Sequence, residues 1–310
     1  MLVNLGSILA RSLLTIVITV TFVFVILRVS GDPMYGLVPV ETPTEVVEML
    51  RKKWGLDQPL YVQYFQYMAN LLQGDFGRSM ENGRPALDLV LERAPATLRL
   101  MGASMLIAIL VGVTAGVAAA IWRGTLVDRI VMVMAVIVHS IPGFVLAILL
   151  ILLFAVALRL LPSGGGSSLL HMILPATVIG MSGAGVIARF TRSSTLEVLG
   201  QRFVLAARSR RLGSFVVAFR HVLPNAALPL LTLLGFMLGG LIGGAAIVES
   251  VFAWPGIGQS LVAAVGKRDL ALVQAIVILI TVGMVAANLV IDVLYVLVDP
   301  RMRQGKATAN

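Results

Sequence analysis

Long runs of apolar residues, separated by shorter polar stretches, dominate the sequence. A helix needs about 20 residues to cross a hydrocarbon layer of about 30 Å, because each residue adds about 1.5 Å. Six runs are long enough, and they lie at about residues 8–29, 97–122, 130–158, 170–188, 226–248 and 271–298. Since lipid cannot bond backbone polar groups, such runs must form helices that bundle together. The pattern therefore predicts an all-α integral membrane protein with six transmembrane helices.

The composition excludes an ordinary soluble domain. Hydrophobic residues make up 58% of the chain and charged residues 13%, whereas soluble domains average about half and a quarter. The sequence has no cysteine, which excludes disulfides, thiolate metal sites and thiol nucleophiles. The first apolar run is longer than the core of a signal peptide, and the LRVSGDP stretch at its end lacks a small-x-small cleavage site. We therefore expect a retained helix at 1–30.

The basic residues predict the orientation. Positive charge in short loops of a membrane protein reports topology rather than nucleic-acid binding, because such loops stay in the cytoplasm. With six spans, both termini share a side, and that side holds the segment 189–221, which carries seven arginines and one acid. The net charge of +9 is concentrated there and in the other loops on that side. Both termini and the loop at 189–225 are therefore predicted to be cytoplasmic.

The opposite side carries a long region, 31–96, between the first two spans. Its length predicts that it folds by itself. We expect one helix from an N-cap at Thr42 to Trp54 and a second from Leu60 to Leu72. Two interpretations stay open, namely a structural cap on the bundle and a docking surface for an external partner.

Polar and small residues inside the spans are the candidates for a substrate path. Intramembrane polar groups are functional candidates by default, and proline breaks helical hydrogen bonding. Two residues, His139 and Met181, are too few for a metal site, so we predict none. Glycines at four-residue spacing, Gly112 with Gly116 and Gly235 with Gly239, predict close helix packing. The candidate path residues are His139, Ser140, Pro142, Met181 and Ser182.

The sequence contains no nucleotide-binding or enzyme motif. The nearest candidate, GQSLVAAVGKRD, has the wrong glycine spacing for a phosphate-binding loop and an arginine in place of its Ser/Thr. Neither a zinc-protease nor a nucleophile-elbow motif occurs. No series of carboxylates crosses the spans, which disfavours an ion-driven mechanism. We therefore predict no enzyme activity, and any ATPase must be a separate chain.

The cytoplasmic segment FVLAARSRRLGSFVVAFRHVLPNAALP reads as a helix, a bend at Gly213 and a second helix capped by Ser214. It resembles the "EAA" loop of ATP-binding-cassette importer permeases, which docks the ATPases. Two departures are that Leu205 replaces the usual acidic or polar residue and that Arg211 stands where glycine is expected. The coupling residues that the resemblance implies are Leu205, Ala206, Ala207, Arg208, Arg211, Leu212, Gly213, Arg220, His221, Leu223 and Pro224.

Further motifs narrow the resemblance to the dipeptide/oligopeptide/nickel permease family, and to the first of its two permease subunits. In chain order they are WGLDQPL (54–60), QGDFGRS (73–79), RAPATLRL (93–100), ESVFAWPGIGQSLVAAVGKRDLALVQ (249–274) and NLVIDVLYVLVDPRMR (288–303).

The resemblance implies a type I importer permease of the prokaryotic plasma (inner) membrane. Its expected organisation is an N-terminal helix at 1–30, an extracytoplasmic helical region at 31–96, a five-helix permease core at 97–300 with the coupling loop at 189–225, and a cytoplasmic tail at 301–310. The implied partners are a second homologous permease, two cytoplasmic ATPases that hold ATP–Mg, and an extracytoplasmic solute-binding protein. This chain itself is expected to bind no cofactor.

The cargo and the class of function each leave alternatives. Peptides, glutathione, nickel chelates and haem-like ligands all suit such a family, because the binding protein does most of the selection. A membrane scaffold that recruits a soluble partner through its basic loop is a different class of function. A lone secondary transporter is disfavoured by the absence of internal repeats.

Overall fold

The computed structural model of the chain describes residues 2–31, 34, 38, 41–202, 204, 230, 233–235, 237 and 245–298. Regular structure in these ranges is almost entirely helical. The helices are α1 (Leu2–Val29), α2 (Thr44–Lys53), α3 (Leu60–Leu72), α4 (Ala86–Ile121), α5 (Leu126–Ser140), α6 (Gly143–Leu150), α7 (Leu170–Leu199), α8 (Ile257–Gly266) and α9 (Leu270–Val298), with a π-helical segment at Ile151–Ala157 and helical residues at 245–251.

Four of these helices are long and apolar enough to cross a membrane, namely α1, α4, α7 and α9. They correspond to the first, second, fourth and sixth predicted spans. Both interior helices extend beyond their predictions, since α4 begins at Ala86 and α7 continues to Leu199. The first part of the predicted coupling loop, residues 189–199, is therefore helical. Most of the fifth predicted span, 226–248, lies outside the described residues.

The third predicted span is broken rather than continuous. The axes of α5 and of the segment Gly143–Ala157, which begins with α6, meet at 102°, so the two form a broken span or a re-entrant loop. Pro142 causes the break, because it has no N–H to donate and restricts the residue before it to extended conformations. Ile141 is accordingly extended, with φ −75° and ψ 123°. The sequence predicts that Pro142 interrupts helical hydrogen bonding, and the structure shows a break of 102° there.

The outer region contains both predicted helices, and α3 has the predicted bounds, Leu60–Leu72. The prediction of Thr42 as the N-cap of α2 is wrong. The helix begins at Thr44, and Pro43 occupies the cap position with φ −54° and ψ 139°. Proline satisfies the φ of a helix start, but its extended ψ places it before the first turn rather than within it.

The chain forms two compact units, one of residues 1–95 and 255–285 and the other of residues 96–254 and 286–310. The first division lies close to the predicted boundary at 96. The grouping of 255–285 with the N-terminal part is not predicted by the sequence. Within the first unit, the core joins the start of α4 to α9 through Ala86, Val90, Ala275 and Ile276. The core of the second unit includes Leu100, Ala147, Leu174, Val178, Phe252 and Trp254.

Candidate functional site

Helices α5 and α7 of the second unit pack against each other as an antiparallel pair. Gly185 of α7 is buried against α5, and a Cβ at this position would lie 2.5 Å from the carbonyl oxygen of Ala135. Only glycine allows the two backbones to approach this closely. Seven residues from Asp128 to Ala135 on α5 correspond to seven residues back from Arg192 to Gly185 on α7. The paired positions thus run in opposite directions along the two helices.

An ion pair joins the same two helices. The Arg192 guanidinium donates to both carboxylate oxygens of Asp128, with Nε–Oδ1 at 2.6 Å and Nη2–Oδ2 at 2.8 Å. The Gly124 N–H also donates to Oδ2 at 2.9 Å. Asp128 is only 5% exposed, and a bidentate arrangement of this kind is both strong and geometrically specific. Sequence reasoning counted Arg192 only as part of a basic segment and missed its partner.

Helix α4 packs against a different face of α7 through the predicted glycine pair. A Cβ on Gly112 would lie 2.7 Å from Ile187 Cβ, and a Cβ on Gly116 would lie 2.6 Å from the Ala188 carbonyl oxygen. Thr191 also contacts the Gly116 position, at 2.7 Å. The prediction that these glycines allow close packing is confirmed, and their partner is a helix of the same chain.

The candidate path residues lie at a similar height along the α5–α7 pair. His139 lies four residues beyond Ala135 on α5, and Met181 lies four residues before Gly185 on α7. The antiparallel pairing therefore places them at the same height along the two helices. Ser140 and Ser182 adjoin them in sequence. His139, Ser140 and Pro142 are exposed, whereas Met181 and Ser182 are half-buried. Their role in a path stays a prediction.

The helix break lies at the same level. Gly143, the first residue of α6, has Val178 of α7 and Val248 as its nearest neighbours, about 4 Å from where its Cβ would be. The break at Pro142 is therefore held between α7 and the helical residues 245–251. Among the described residues, no three His, Asp or Glu side chains are close enough to share a metal ion.

The ESVFAW stretch contains a buried carboxylate that sequence reasoning did not identify. Glu249 is fully buried, and Thr97 of α4 donates to its Oε1 at 2.7 Å. Trp254 Nε1 donates to the Ala96 carbonyl oxygen at 3.1 Å. Gly165 N donates to the Phe252 carbonyl oxygen at 2.8 Å. This motif thus fixes the chain after residue 245 to α4 and to the loop before α7.

In the first unit, two of the sequence motifs contact each other. Ser79, at the end of QGDFGRS, donates from Oγ to the Asp269 carboxylate, and the Met80 N–H donates to the same group at 3.1 Å. Lys267 forms an ion pair with Glu81. The loop 74–85 is therefore attached to the turn between α8 and α9.

Helix α3 packs on α1 through aromatic and polar contacts. Tyr64 contacts the Phe24 ring edge-on with centroids 5.3 Å apart, and its hydroxyl bonds to Thr21 Oγ1 at 2.8 Å. Arg28 Nε donates to Gln63 Oε1 at 2.8 Å. Burial raises the pKa of the Tyr67 phenol above its ordinary value. These contacts give the outer region a structural role, and a docking role stays open.

Beyond α7, the predicted coupling loop lies almost entirely outside the described residues. After Gly200 the structure describes Gln201, Arg202 and the buried Val204, which packs with Val198 and Leu199 at the end of α7. The predicted coupling residues from Leu205 to Pro224 lie in the part that is not described. The described part shows that α7 leads directly into this segment.

Comparisons with known proteins cover most of the chain. The family model "Binding-protein-dependent transport system inner membrane component" matches residues 112–304, and its N-terminal counterpart matches residues 5–101. The glutathione transport system permease protein GsiC of Salmonella choleraesuis is 42% identical over 290 residues, covering 94% of each chain. The corresponding protein of Escherichia coli K12 is 41% identical over the same share.

A solved structure supports the fold. The inward-facing MetNI methionine ABC transporter in its CY5 native crystal form aligns with a TM-score of 0.57. The alignment covers 68% of this chain and 96% of that chain, at 22% identity. At this identity the likeness concerns the fold alone.

Proposed function

The chain belongs to the family of binding-protein-dependent transport system inner membrane components, and on that premise we propose that it forms half of the translocation pathway for glutathione or short peptides. It is a multi-pass permease subunit of an ATP-binding-cassette importer in the inner membrane. The observation that supports this cargo class is the 42% identity over 94% of the chain to a glutathione permease.

Such an importer works with an ATPase and a solute-binding protein. The finer assignment is part of the proposal: a second homologous permease completes the pathway, and two ATPases hold ATP–Mg. This chain binds no cofactor and carries out no catalytic step of its own. The absence of a phosphate-binding loop from its sequence supports that division of labour.

We further propose that both termini and the loop at 189–225 face the cytoplasm, where the loop docks an ATPase. The arginine distribution and the resemblance to the EAA loop support this orientation. Helix α7 continues into the first part of that loop and ends at Leu199, and it is fixed to α5 by the Asp128–Arg192 pair and the Gly185 contact. A displacement of the loop would therefore move α7 and α5 together and shift the break at Pro142. Two packed helices that move as one body are a physical element on which ATPases can act.

Ala207→Asp is expected to uncouple the permease from its ATPases. A carboxylate placed unpaired in the docking surface costs about 3 kcal/mol or more, which weakens docking by over about a hundredfold. The check is co-purification of the ATPases together with ATP-driven uptake. Arg208→Ala is the milder comparison, because an exposed ion pair contributes only about 0–1 kcal/mol. Full uptake and full ATPase retention in Ala207→Asp would mean that this loop is only a topological anchor.

Ser140→Trp and Ser182→Trp are each expected to abolish uptake while the importer still assembles. A bulky ring at the level of the helix break would obstruct a path there, since these two serines lie at a similar height on α5 and α7. Met134→Trp is the control, because Met134 is an exposed apolar residue of α5 distant from the break. Uptake and subunit co-purification are measured for all three. Unimpaired uptake by both serine variants would place the path elsewhere.

A further inference from the structure

An apolar cavity of about 480 Å³ in the first unit has no part in the coupling or path described above. It lies between the second half of α1 and the α8–α9 pair. Both α1 and α9 are long and apolar enough to cross a membrane, so the cavity is bounded by helices that lipid surrounds. Its apolar walls come mainly from Phe22, Ile26, Leu261, Val265, Val273 and Val277.

One end of this cavity carries a guanidinium. Arg268 lines the cavity, and its Nη1 is 3.1 Å from where a Cβ on Gly31 would be, at the end of α1. Arg268 is exposed and has a left-handed backbone, with φ +55°. Non-glycine residues rarely adopt this conformation, and when they do it is held by the surrounding structure.

The neighbours of Arg268 explain that backbone. Asp269 is buried and bonds to Ser79 and to the Met80 N–H, while Lys267 pairs with Glu81. Both neighbours are therefore attached to the loop 74–85. The left-handed backbone at Arg268 allows both Lys267 and Asp269 to contact the loop 74–85. It places the side chain of Arg268 itself at the cavity.

We propose that this cavity binds a membrane phospholipid, with an acyl chain along α1 and the phosphate on Arg268. The chemistry of the cavity fits this class of ligand at both ends, because its walls are apolar and Arg268 is the one charged residue among the described residues that line it. A guanidinium binds phosphate oxygens in a bidentate manner. It has five N–H donors, so it binds phosphate even while it makes another hydrogen bond. The inference does not depend on the cargo or on the coupling loop.

The test uses the full chain within its purified importer, stripped of lipid in detergent and titrated with phosphatidylglycerol, with bound lipid counted by native mass spectrometry. We expect one tightly retained phosphatidylglycerol per copy of this chain. Arg268→Gln should weaken its binding about tenfold or more, since a hydrogen bond to a charged group contributes that much. Val265→Trp, which fills the rim of the cavity, should weaken it to a comparable extent.

Two control variants and two control ligands separate the parts of this proposal. Lys53→Gln changes an exposed charge on α2, and Val262→Trp changes an exposed valine on α8; neither residue lines the cavity. Both should bind phosphatidylglycerol like the unaltered protein. Diacylglycerol, which lacks the phosphate, should bind as weakly to the unaltered protein as phosphatidylglycerol does to Arg268→Gln. Glycerol phosphate, which lacks the acyl chains, should not compete.

Three results would overturn the proposal. One is the absence of a retained phosphatidylglycerol in the unaltered importer, which would mean that a helix of the second permease covers the cavity. Another is equal retention of phosphatidylglycerol by Arg268→Gln and Lys53→Gln. The third is competition by glycerol phosphate alone, which would identify a surface anion site without an acyl chain. Transport activity enters none of these readouts, so the proposed function and this inference stand or fall separately.

Discussion

Gly116→Val is expected to prevent stable folding of the second unit, whereas Gly102→Val on the same helix should leave it folded. A Cβ on Gly116 would lie 2.6 Å from the Ala188 carbonyl oxygen and 2.7 Å from Thr191 Cβ, and the valine methyl groups would extend further still. A backbone oxygen cannot move aside as a side chain can, so α4 and α7 would have to separate. Overpacking typically costs about 1–3 kcal/mol and occasionally more, and we expect this substitution to be at or above the upper end.

Gly102 provides a matched control for that result. It lies on the same helix, α4, is exposed, and has no atom within 4 Å of where its Cβ would be. The substitution is the same, so any general effect of valine in a helix is shared by both variants. The measurement is the thermal midpoint and the monodisperse yield of each variant in detergent. Equal yields and midpoints would contradict the packing of α4 on α7.

Asp128→Ala is the second substitution with a large expected effect. Removing one partner of a buried ion pair leaves the other charge uncompensated, which costs about 3–5 kcal/mol. The Arg192 side chain keeps 27% of its exposure, so water stabilises part of its charge and we expect the lower end of that range. Uptake should fall as well, because the pair connects α5 with α7. Thermal midpoints and uptake are measured on the same preparations.

A double variant distinguishes the pair from its individual charges. Asp128→Leu combined with Arg192→Met removes both charges and keeps much of the volume, and such replacements are often neutral or stabilising. We expect the double variant to recover most of the thermal stability lost by Asp128→Ala. If the double variant is less stable than Asp128→Ala, then Asp128 acts through Gly124 or another group rather than through Arg192.

Local pattern was sufficient to predict several elements of this fold. The bounds of α3 follow from Pro59 before it and from the Gln73-Gly74 turn after it. Apolar length alone identified α1, α4, α7 and α9 as spans. Pro142 identified the position of the break in the third span. Each of these features depends on residues that are close together in the sequence.

Pairings between distant residues could not be predicted in the same way. Asp128 bonds to a residue 64 positions away and Ser79 to one 190 positions away. Glu249 is buried with Thr97 across 152 positions, although its local sequence resembles a loop. The 102° angle at Pro142 was also beyond the sequence, because proline determines that a helix ends but its neighbours determine where the chain goes next.

The candidate site combines features that the sequence predicted with pairings that it did not. The sequence predicted the five path residues from their polarity or flexibility, without any indication that α5 and α7 run antiparallel. The glycines at 112 and 116 were identified by their spacing, but their partners on α7 were not. The left-handed backbone at Arg268 had no sequence signal at all, because it results from contacts of its two neighbours with the loop 74–85.

The most direct test of the central claim is uptake by the reconstituted importer. This chain, its second permease and its ATPases are placed in proteoliposomes with ATP inside, and the solute-binding protein is added outside with radiolabelled glutathione or a dipeptide. We predict that accumulation of at least one of the two requires ATP, the binding protein and this chain together. Accumulation that persists without the ATPases, or an assembled complex that hydrolyses ATP in response to the binding protein yet imports neither compound, would contradict the account.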